Sequence, residues 1–236
     1  MDNFTATRVP AVTVQATAER ATAFLRVVYG WMFVGLGMTA AVAYAITGSP
    51  AIMRTIASNH ILFVGALFAE LGLVFYLSAR VHHLTPTAAT ILFLLYSALN
   101  GVTLSVLLLA YTGSSIATTF AVTAGMFGAL ALFGSTTKRS LAGAAQFLYM
   151  GLIGLVLASI LGVFWQNDAL QFLISVVGVI VFTGLTAWDA QRLKQMAAEL
   201  PPERSGAYAI VGALSLYLNF INLFLILLRF QGDRRP

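Results

Sequence analysis

The sequence predicts an all-α polytopic membrane protein with seven spanning helices. Of its 236 residues, 59% are hydrophobic and only 9% are charged, and the mean hydropathy is +0.89. Soluble domains carry about 25% charged residues, so this chain has too few to cover a surface that faces water. Apolar runs of about 20 residues, the length that crosses a bilayer, also recur along the chain between short polar breaks.

Each apolar run is predicted to form one spanning helix, because a helix pairs its backbone amides internally and hydrocarbon offers them no other partner. The runs cover residues 25–47, 61–79, 87–111, 115–134, 145–165, 171–188 and 207–230. Residues typical of turns lie between them, at 48–50, 85–86, 112–115, 166–168 and 201–206.

The short loops leave no room for a separate soluble domain. We therefore predict one transmembrane domain over residues 24–232, between a polar N-terminal tail (1–23) and a short C-terminal tail (233–236). The N-terminal tail lacks the apolar core of a secretory signal. We expect it to be mobile, with at most a short amphipathic helix before the first span.

Basic residues predict the orientation, because they concentrate in cytoplasmic loops. If all seven runs span, nine lie on the side of the N-terminus and four on the other side, which predicts a cytoplasmic N-terminus. The nine are Arg8, Arg20, Arg26, Arg80, Lys138, Arg139, Arg192, Lys194 and Arg204, and the four are Arg54, Arg229, Arg234 and Arg235. If the last run instead enters and returns, the C-terminus is cytoplasmic too.

Glu70 lies at the centre of the second run. A charged side chain at this depth costs about 2.5–3.5 kcal/mol on insertion scales, so it must face a partner or a water-filled cavity. Two interpretations are open. Glu70 is either a protonated residue hydrogen-bonded between helices or a residue of an ion path.

Asp189 ends the sixth run, and it also has two interpretations. It is either an interfacial residue paired with Arg192 or a carboxylate turned inward at the cytoplasmic end of a polar path. The third run places Tyr96, Asn100 and Thr103 on one helical face. These groups either join helices by hydrogen bonds or line the same path.

The last run is strongly apolar but contains Asn219 and Asn222 near its middle. An amide in hydrocarbon needs a partner within the protein, so we expect both side chains to point inward. Small residues at Gly125 and Gly128 in the fourth run, and at Gly151 and Gly154 in the fifth, predict close helix packing at those positions.

No enzymatic motif is present: the sequence has no HExxH, P-loop or nucleophile elbow. It also has no cysteine, which excludes thiolate metal sites. We therefore predict no enzymatic activity and no cofactor. In a membrane protein, a net charge of +5 indicates orientation and lipid contact rather than a nucleic-acid partner; the expected partners are the bilayer and other membrane proteins.

Four segments of the chain resemble the transmembrane Bax inhibitor motif family, which includes bacterial membrane proteins of the YccA group. They read LYSALNGVTLS, STTKRSLAGAAQFLYMGLIGL, VIVFTGLTAWDAQRLK and GALSLYLNFINLFLILLR, and the resemblance covers about residues 20–232. It implies a seven-helix bundle whose seventh helix is central and is wrapped by three helix pairs. It also implies a pH-sensitive calcium leak governed by two buried aspartates that share a proton.

By this resemblance, Asp189 matches the aspartate of the sixth helix and Glu70 resembles a glutamate of the second. Asn219 stands where the family has its second aspartate. Two carboxylates in contact cannot both ionise cheaply, but an amide beside one carboxylate removes that repulsion. The resemblance therefore implies weakened pH regulation here. Calcium prefers six to eight oxygen ligands, so Asp189 and Glu70 predict at most weak, transient calcium binding and no firm metal site.

Two functional hypotheses follow. The first is a cation leak or transporter, for calcium, with Asp189, Asn219 and Glu70 as the ion path or pH sensor, and with Tyr96, Asn100, Thr103 and Asn222 lining a polar path. The alternative is a non-conducting regulator that binds membrane proteases or stress-response partners. The expected location is the bacterial inner membrane.

Overall fold

The fold class predicted from the sequence is confirmed by a computed structural model that describes residues 11–165 and 167–233. These residues form eight α-helices and no strand. The helices are α1 (Ala11–Thr47), α2 (Pro50–Ser58), α3 (His60–Arg80), α4 (Pro86–Leu108), α5 (Gly113–Thr136), α6 (Ala142–Phe164), α7 (Asp168–Glu199) and α8 (Ser205–Gln231). A 3₁₀ turn, Pro202–Arg204, precedes α8. All except α2 contain a stretch long and apolar enough to cross a membrane.

Helix ends differ from the predicted runs where polar residues continue a helix. The sixth run was predicted to end at Trp188, but α7 continues to Glu199. Polarity ends an apolar run without ending a helix, because the backbone hydrogen bonds do not depend on side-chain hydropathy. Likewise α1 begins at Ala11, within the predicted N-terminal tail. Residues 1–10 and 234–236, and with them most of the predicted C-terminal tail, lie outside the described residues.

Helix α2 has no counterpart among the predicted elements. Its nine residues follow Ser49, with Pro50 at the first helical position, where proline is well tolerated. Met53 and Ile56 are buried and pack with Ile46 of α1. A helix this short is stabilised by the apolar face it buries rather than by its own hydrogen bonds, so length alone could not reveal it.

The seventh span, α8, is the central helix of the bundle. In its most apolar stretch 61% of the residues are buried, against 17% to 44% in the other six spans. It packs against α1, α4, α5 and α7. Among the six other spanning helices, α4 packs on α1 and α3, and α7 packs on α5 and α6. Helix α1 also packs on α7 and so connects these two sets. Helices α3 and α6 therefore lie towards the periphery.

Contacts at both ends indicate that α8 runs the full height of the bundle. Near its start, Tyr208 lies 2.6 Å from His82 in the loop between α3 and α4. Beyond its end, Asp233 accepts a backbone hydrogen bond of 3.1 Å from Thr112, in the loop between α4 and α5. These two loops lie at opposite ends of α4, so the segment crosses the bundle once and does not return.

Of the four glycines predicted to mediate helix packing, Gly151 of α6 does so: a Cβ there would lie 3.0 Å from Val181 Cγ2 on α7. A Cβ at Gly154 meets no atom within 4 Å. Gly125 and Gly128 of α5 are exposed, and a Cβ at either position meets no atom within 4 Å.

The closest approaches of helix backbones occur at other glycines. A methyl group at Gly134 of α5 collides with the backbone of Ala187 on α7, and one at Gly101 of α4 lies 2.7 Å from the carbonyl oxygen of Thr39 on α1. Spacing identifies small residues but not the side of the helix that a partner occupies.

Candidate functional site

The first part of the site is the contact between Asp189 of α7 and Asn219 of α8. Both side chains are buried, with exposed fractions of 4% and 5%. Asn219 Nδ2 donates a hydrogen bond of 2.7 Å to Asp189 Oδ2. Asp189 Oδ1 is also buried and has no hydrogen-bond partner in the part of the chain that the structure describes. The carboxylate is thus turned inward, with one oxygen unsatisfied.

Arg192, one turn further along α7, connects Asp189 to the surface. Its guanidinium lies 3.7 Å from Asp189 Oδ1, and its side chain is 39% exposed. The same guanidinium lies 4.9 Å from the ring centroid of Trp188, which packs edge-on against Tyr149 of α6. The geometry therefore agrees in part with each interpretation of Asp189. Its side chain is buried against α8, and it also faces Arg192.

The second part of the site surrounds Glu70 of α3, which is 8% exposed. Thr103 Oγ1 donates a hydrogen bond of 2.8 Å to Glu70 Oε1, and Asn100 Nδ2 donates one of 3.2 Å to Oε2. Both donors lie on α4. Glu70 thus faces the bundle interior, and each carboxylate oxygen has a neutral donor.

Tyr217 extends this cluster to α8 and α1. Its hydroxyl donates a hydrogen bond of 2.9 Å to Asn100 Oδ1 and lies 2.7 Å from Thr39 Oγ1. Thr39 Oγ1 in turn lies 2.8 Å from the carbonyl oxygen of Ser97. A buried polar network of this kind links four helices, α3, α4, α8 and α1, and its members are satisfied by one another.

Two polar residues expected to line a path take other positions. Tyr96 is buried and packs its ring edge-on against Tyr217, with 5.7 Å between the centroids. Asn222 is half-buried and donates to the carbonyl oxygen of Leu218 within α8, at 2.8 Å. Asn222 therefore joins neither cluster, and Tyr96 borders the one around Glu70.

The two carboxylates lie on different sides of α8. Tyr217 and Asn219 are two residues apart, which corresponds to about 200° around a helix. One residue faces α4 and the other faces α7. Glu70 and Asp189 therefore do not form a joint site, and the described residues contain no group of three or more His, Asp or Glu side chains that could hold a metal ion.

Comparison with known proteins establishes the family. The sequence profile described as "Inhibitor of apoptosis-promoting Bax1" matches residues 21–235. The chain belongs to the Bax inhibitor family. Among its relatives in this family, the inner membrane protein YbhL of Escherichia coli K12 is 49% identical over 215 residues, which is 90% of this chain and 92% of that one. A protein of Deinococcus radiodurans is 39% identical over 225 residues, covering 95% and 96% of the two chains.

Membership confirms the resemblance noted in the sequence, and the seven apolar helices agree with an integral membrane protein of this family. The inner membrane named for the Escherichia coli relative also agrees with the predicted location. Family membership leaves the roles of Asp189, Asn219 and Glu70 as predictions.

Sequence reasoning missed three residues that shape the site. Tyr217 and Thr39 were hidden in apolar runs, where a hydroxyl carries little signal. Gln191 is 7% exposed and holds the loop between α5 and α6 against α7: its Oε1 accepts from Leu141 N and its Nε2 donates to Arg139 O, both at 2.8 Å. Gln191 lies two residues after Asp189, among polar residues that do not mark it as buried, so the sequence carried no signal for these bonds.

Proposed function

We propose that this member of the Bax inhibitor family is a cation leak for calcium, with Asp189 and Glu70 as its electrostatic elements. The observation that supports this most is the environment of Asp189. It is a carboxylate buried within a spanning helix, with one oxygen bonded to an amide of the central helix and the other without a hydrogen-bond partner among the described residues. A group so costly to bury is usually retained for function.

The central position of α8 suggests how conduction is controlled. Asp189 and Glu70 are connected to different sides of α8. Asp189 bonds directly to Asn219 of α8. Glu70 bonds to Asn100 of α4, which in turn bonds to Tyr217 of α8. A small displacement of α8 breaks the bonds from Asn219 to Asp189 and from Tyr217 to Asn100, and it leaves Asp189 facing any water that enters. The bonds from α4 to Glu70 do not involve α8. Carboxylate oxygens suit calcium, and one carboxylate on each side of α8 favours transient passage over tight binding.

Asn219 weakens the pH dependence of this leak. A pair of carboxylates at this contact must share a proton, because two negative charges in one buried site repel each other strongly. Asn219 is neutral and donates to Asp189, so the coupled titration of such a pair is absent from this chain.

One observation favours the alternative, a non-conducting regulator of membrane proteases or stress-response proteins. Both oxygens of Glu70 are hydrogen-bonded by side chains of α4, which is the arrangement of a residue that joins helices. On this hypothesis the polar clusters stabilise the bundle, and the surface of the protein binds its partners in the bilayer.

Calcium flux into liposomes separates the two hypotheses. We expect the purified protein to increase flux above that of empty liposomes, and Glu70→Gln to reduce it several-fold while the bundle stays folded, because a neutral amide is cheaper to bury. Glu203→Gln is the matched control, since Glu203 is exposed in the turn before α8. Flux equal to that of empty liposomes contradicts the leak, and unchanged flux in Glu70→Gln removes Glu70 from it.

A further inference from the structure

We propose that a basic patch at the end of the bundle where α8 begins binds the headgroup of an anionic phospholipid, and that this lipid competes with Asp189 for Arg192. The patch consists of two residues of the α5–α6 loop and two of α7, namely Lys138, Arg139, Arg192 and Lys194. Lys138, Arg139 and Lys194 are exposed, and Arg192 is partly so.

Hydrogen bonds hold the two parts of the patch together. Gln191, next to Arg192, bonds to the backbone of Arg139 and Leu141 at 2.8 Å each. The Lys194 amino group donates to the carbonyl oxygen of Ser135 at 2.7 Å. The loop carrying Lys138 and Arg139 is therefore fastened to α7, so its charges stay beside those of Arg192 and Lys194. A fixed arrangement of cations loses less entropy on binding an anion than a flexible one.

Charge in this region is strongly one-sided. In the two segments that carry the patch, residues 134–149 and 184–196, Asp189 is the only acidic residue. Glu199 lies further along α7, and Glu19 lies on α1, which also packs on α7. Asp189 is buried and faces inward to Asn219. The four cations therefore attract an external anion, and a phosphate oxygen suits the fork of the arginine guanidinium.

Apolar surroundings indicate that this anion carries acyl chains. Phe133 at the end of α5 and Phe147 in α6 are 54% and 73% exposed. Tyr149 and Trp188 lie on the same side, beside Arg192. Aromatic side chains of this kind settle at the depth of the lipid headgroups, and cations at that depth contact anionic lipids.

Arg192 is shared between this patch and the buried site. Its guanidinium lies 3.7 Å from the oxygen of Asp189 that lacks a hydrogen-bond partner among the described residues, yet over a third of the side chain is exposed. A phosphate that engages Arg192 weakens its interaction with Asp189. By linkage, the interaction with Asp189 must weaken lipid binding to the same extent. Lipid binding is measured without reference to conduction, so it can fail or succeed independently of the proposed leak.

The test uses Trp188 fluorescence in the full chain, with Trp31→Phe and Trp165→Phe making Trp188 the only tryptophan. The purified protein in neutral detergent is titrated with dihexanoyl phosphatidylglycerol, dihexanoyl phosphatidylcholine or inorganic phosphate. We expect saturable binding of phosphatidylglycerol that weakens with salt. Lys138→Gln and Arg139→Gln should each weaken it about fivefold. Both side chains are exposed, so neither change removes a buried contact. Arg80→Gln, the same change elsewhere on the same side, should leave it unchanged.

The competition has its own pair of variants. Asp189→Asn frees Arg192 and should tighten phosphatidylglycerol binding several-fold, whereas Asp168→Asn, at the other end of α7, should not. Equal binding of phosphatidylcholine, an equal response to inorganic phosphate, or wild-type affinity in Lys138→Gln and Arg139→Gln would overturn the lipid site. Unchanged affinity in Asp189→Asn would overturn the competition for Arg192.

Discussion

Asn219 is a neutral hydrogen-bond donor to the buried carboxylate of Asp189. The contact is short, 2.7 Å from Nδ2 to Asp189 Oδ2, so replacing the amide with a carboxyl group puts two acids within hydrogen-bond distance. Such a pair holds one proton over a range of pH in which a single carboxylate holds none. Whether position 219 carries an amide or a carboxyl group thus determines whether the site titrates as a coupled pair.

We therefore predict that Asn219→Asp introduces a titration at mildly acidic to neutral pH. Trp188 is adjacent to Asp189, so its fluorescence in the single-tryptophan protein should acquire a pH-dependent step, and any calcium flux should become more pH-dependent than in the wild type. Asn222→Asp is the matched control, because among the described residues the Asn222 side chain bonds within α8, to Leu218. Identical pH profiles for the wild type and Asn219→Asp would show that the two side chains do not interact.

At the scale of the elements, each part of the site lies beside a close approach of two helices. Gly134 brings α5 against α7 at Ala187, two residues before Asp189, and Gly101 brings α4 against α1 at Thr39, which contacts Tyr217. These approaches fix how closely α5 packs on α7, which carries Asp189, and how closely α4, which carries Asn100, packs on α1. Each cluster therefore lies next to a helix contact that needs a glycine.

We predict that Gly134→Ala destabilises the protein by about 1–3 kcal/mol, the usual cost of overpacking, because the added methyl group collides with the backbone of Ala187. Gly128→Ala on the same helix meets no atom within 4 Å and should be neutral or stabilising, since alanine favours helix. Thermal unfolding in detergent measures both. Equal melting temperatures for the two variants would contradict the close contact between α5 and α7.

At the scale of the whole molecule, the full crossing of α8 determines the topology. With seven spans the two termini lie on opposite sides of the membrane, and the distribution of basic residues predicts the N-terminus in the cytoplasm. We expect a green fluorescent protein fused to the N-terminus to fluoresce in bacterial cells and alkaline phosphatase fused to the C-terminus to be active. Inactive phosphatase together with a fluorescent C-terminal fusion would place both termini inside and contradict a single crossing by α8.

The sequence by itself determined the class, the number of spans and the buried polar residues on which the proposed function rests. Hydropathy reports transfer into lipid, which each segment undergoes largely on its own, and Glu70, Asp189 and Asn219 stood out because polar groups are costly there. The tertiary structure alone decided which of these groups meet. Only helix packing shows that Asn219 faces Asp189, that Tyr217 joins Glu70 to the central helix, and that the two clusters lie on different sides of α8. The mean hydropathy of a helix is the same whichever way the helix is rotated about its axis. Hydropathy therefore cannot give the rotation, which is set by contacts between helices.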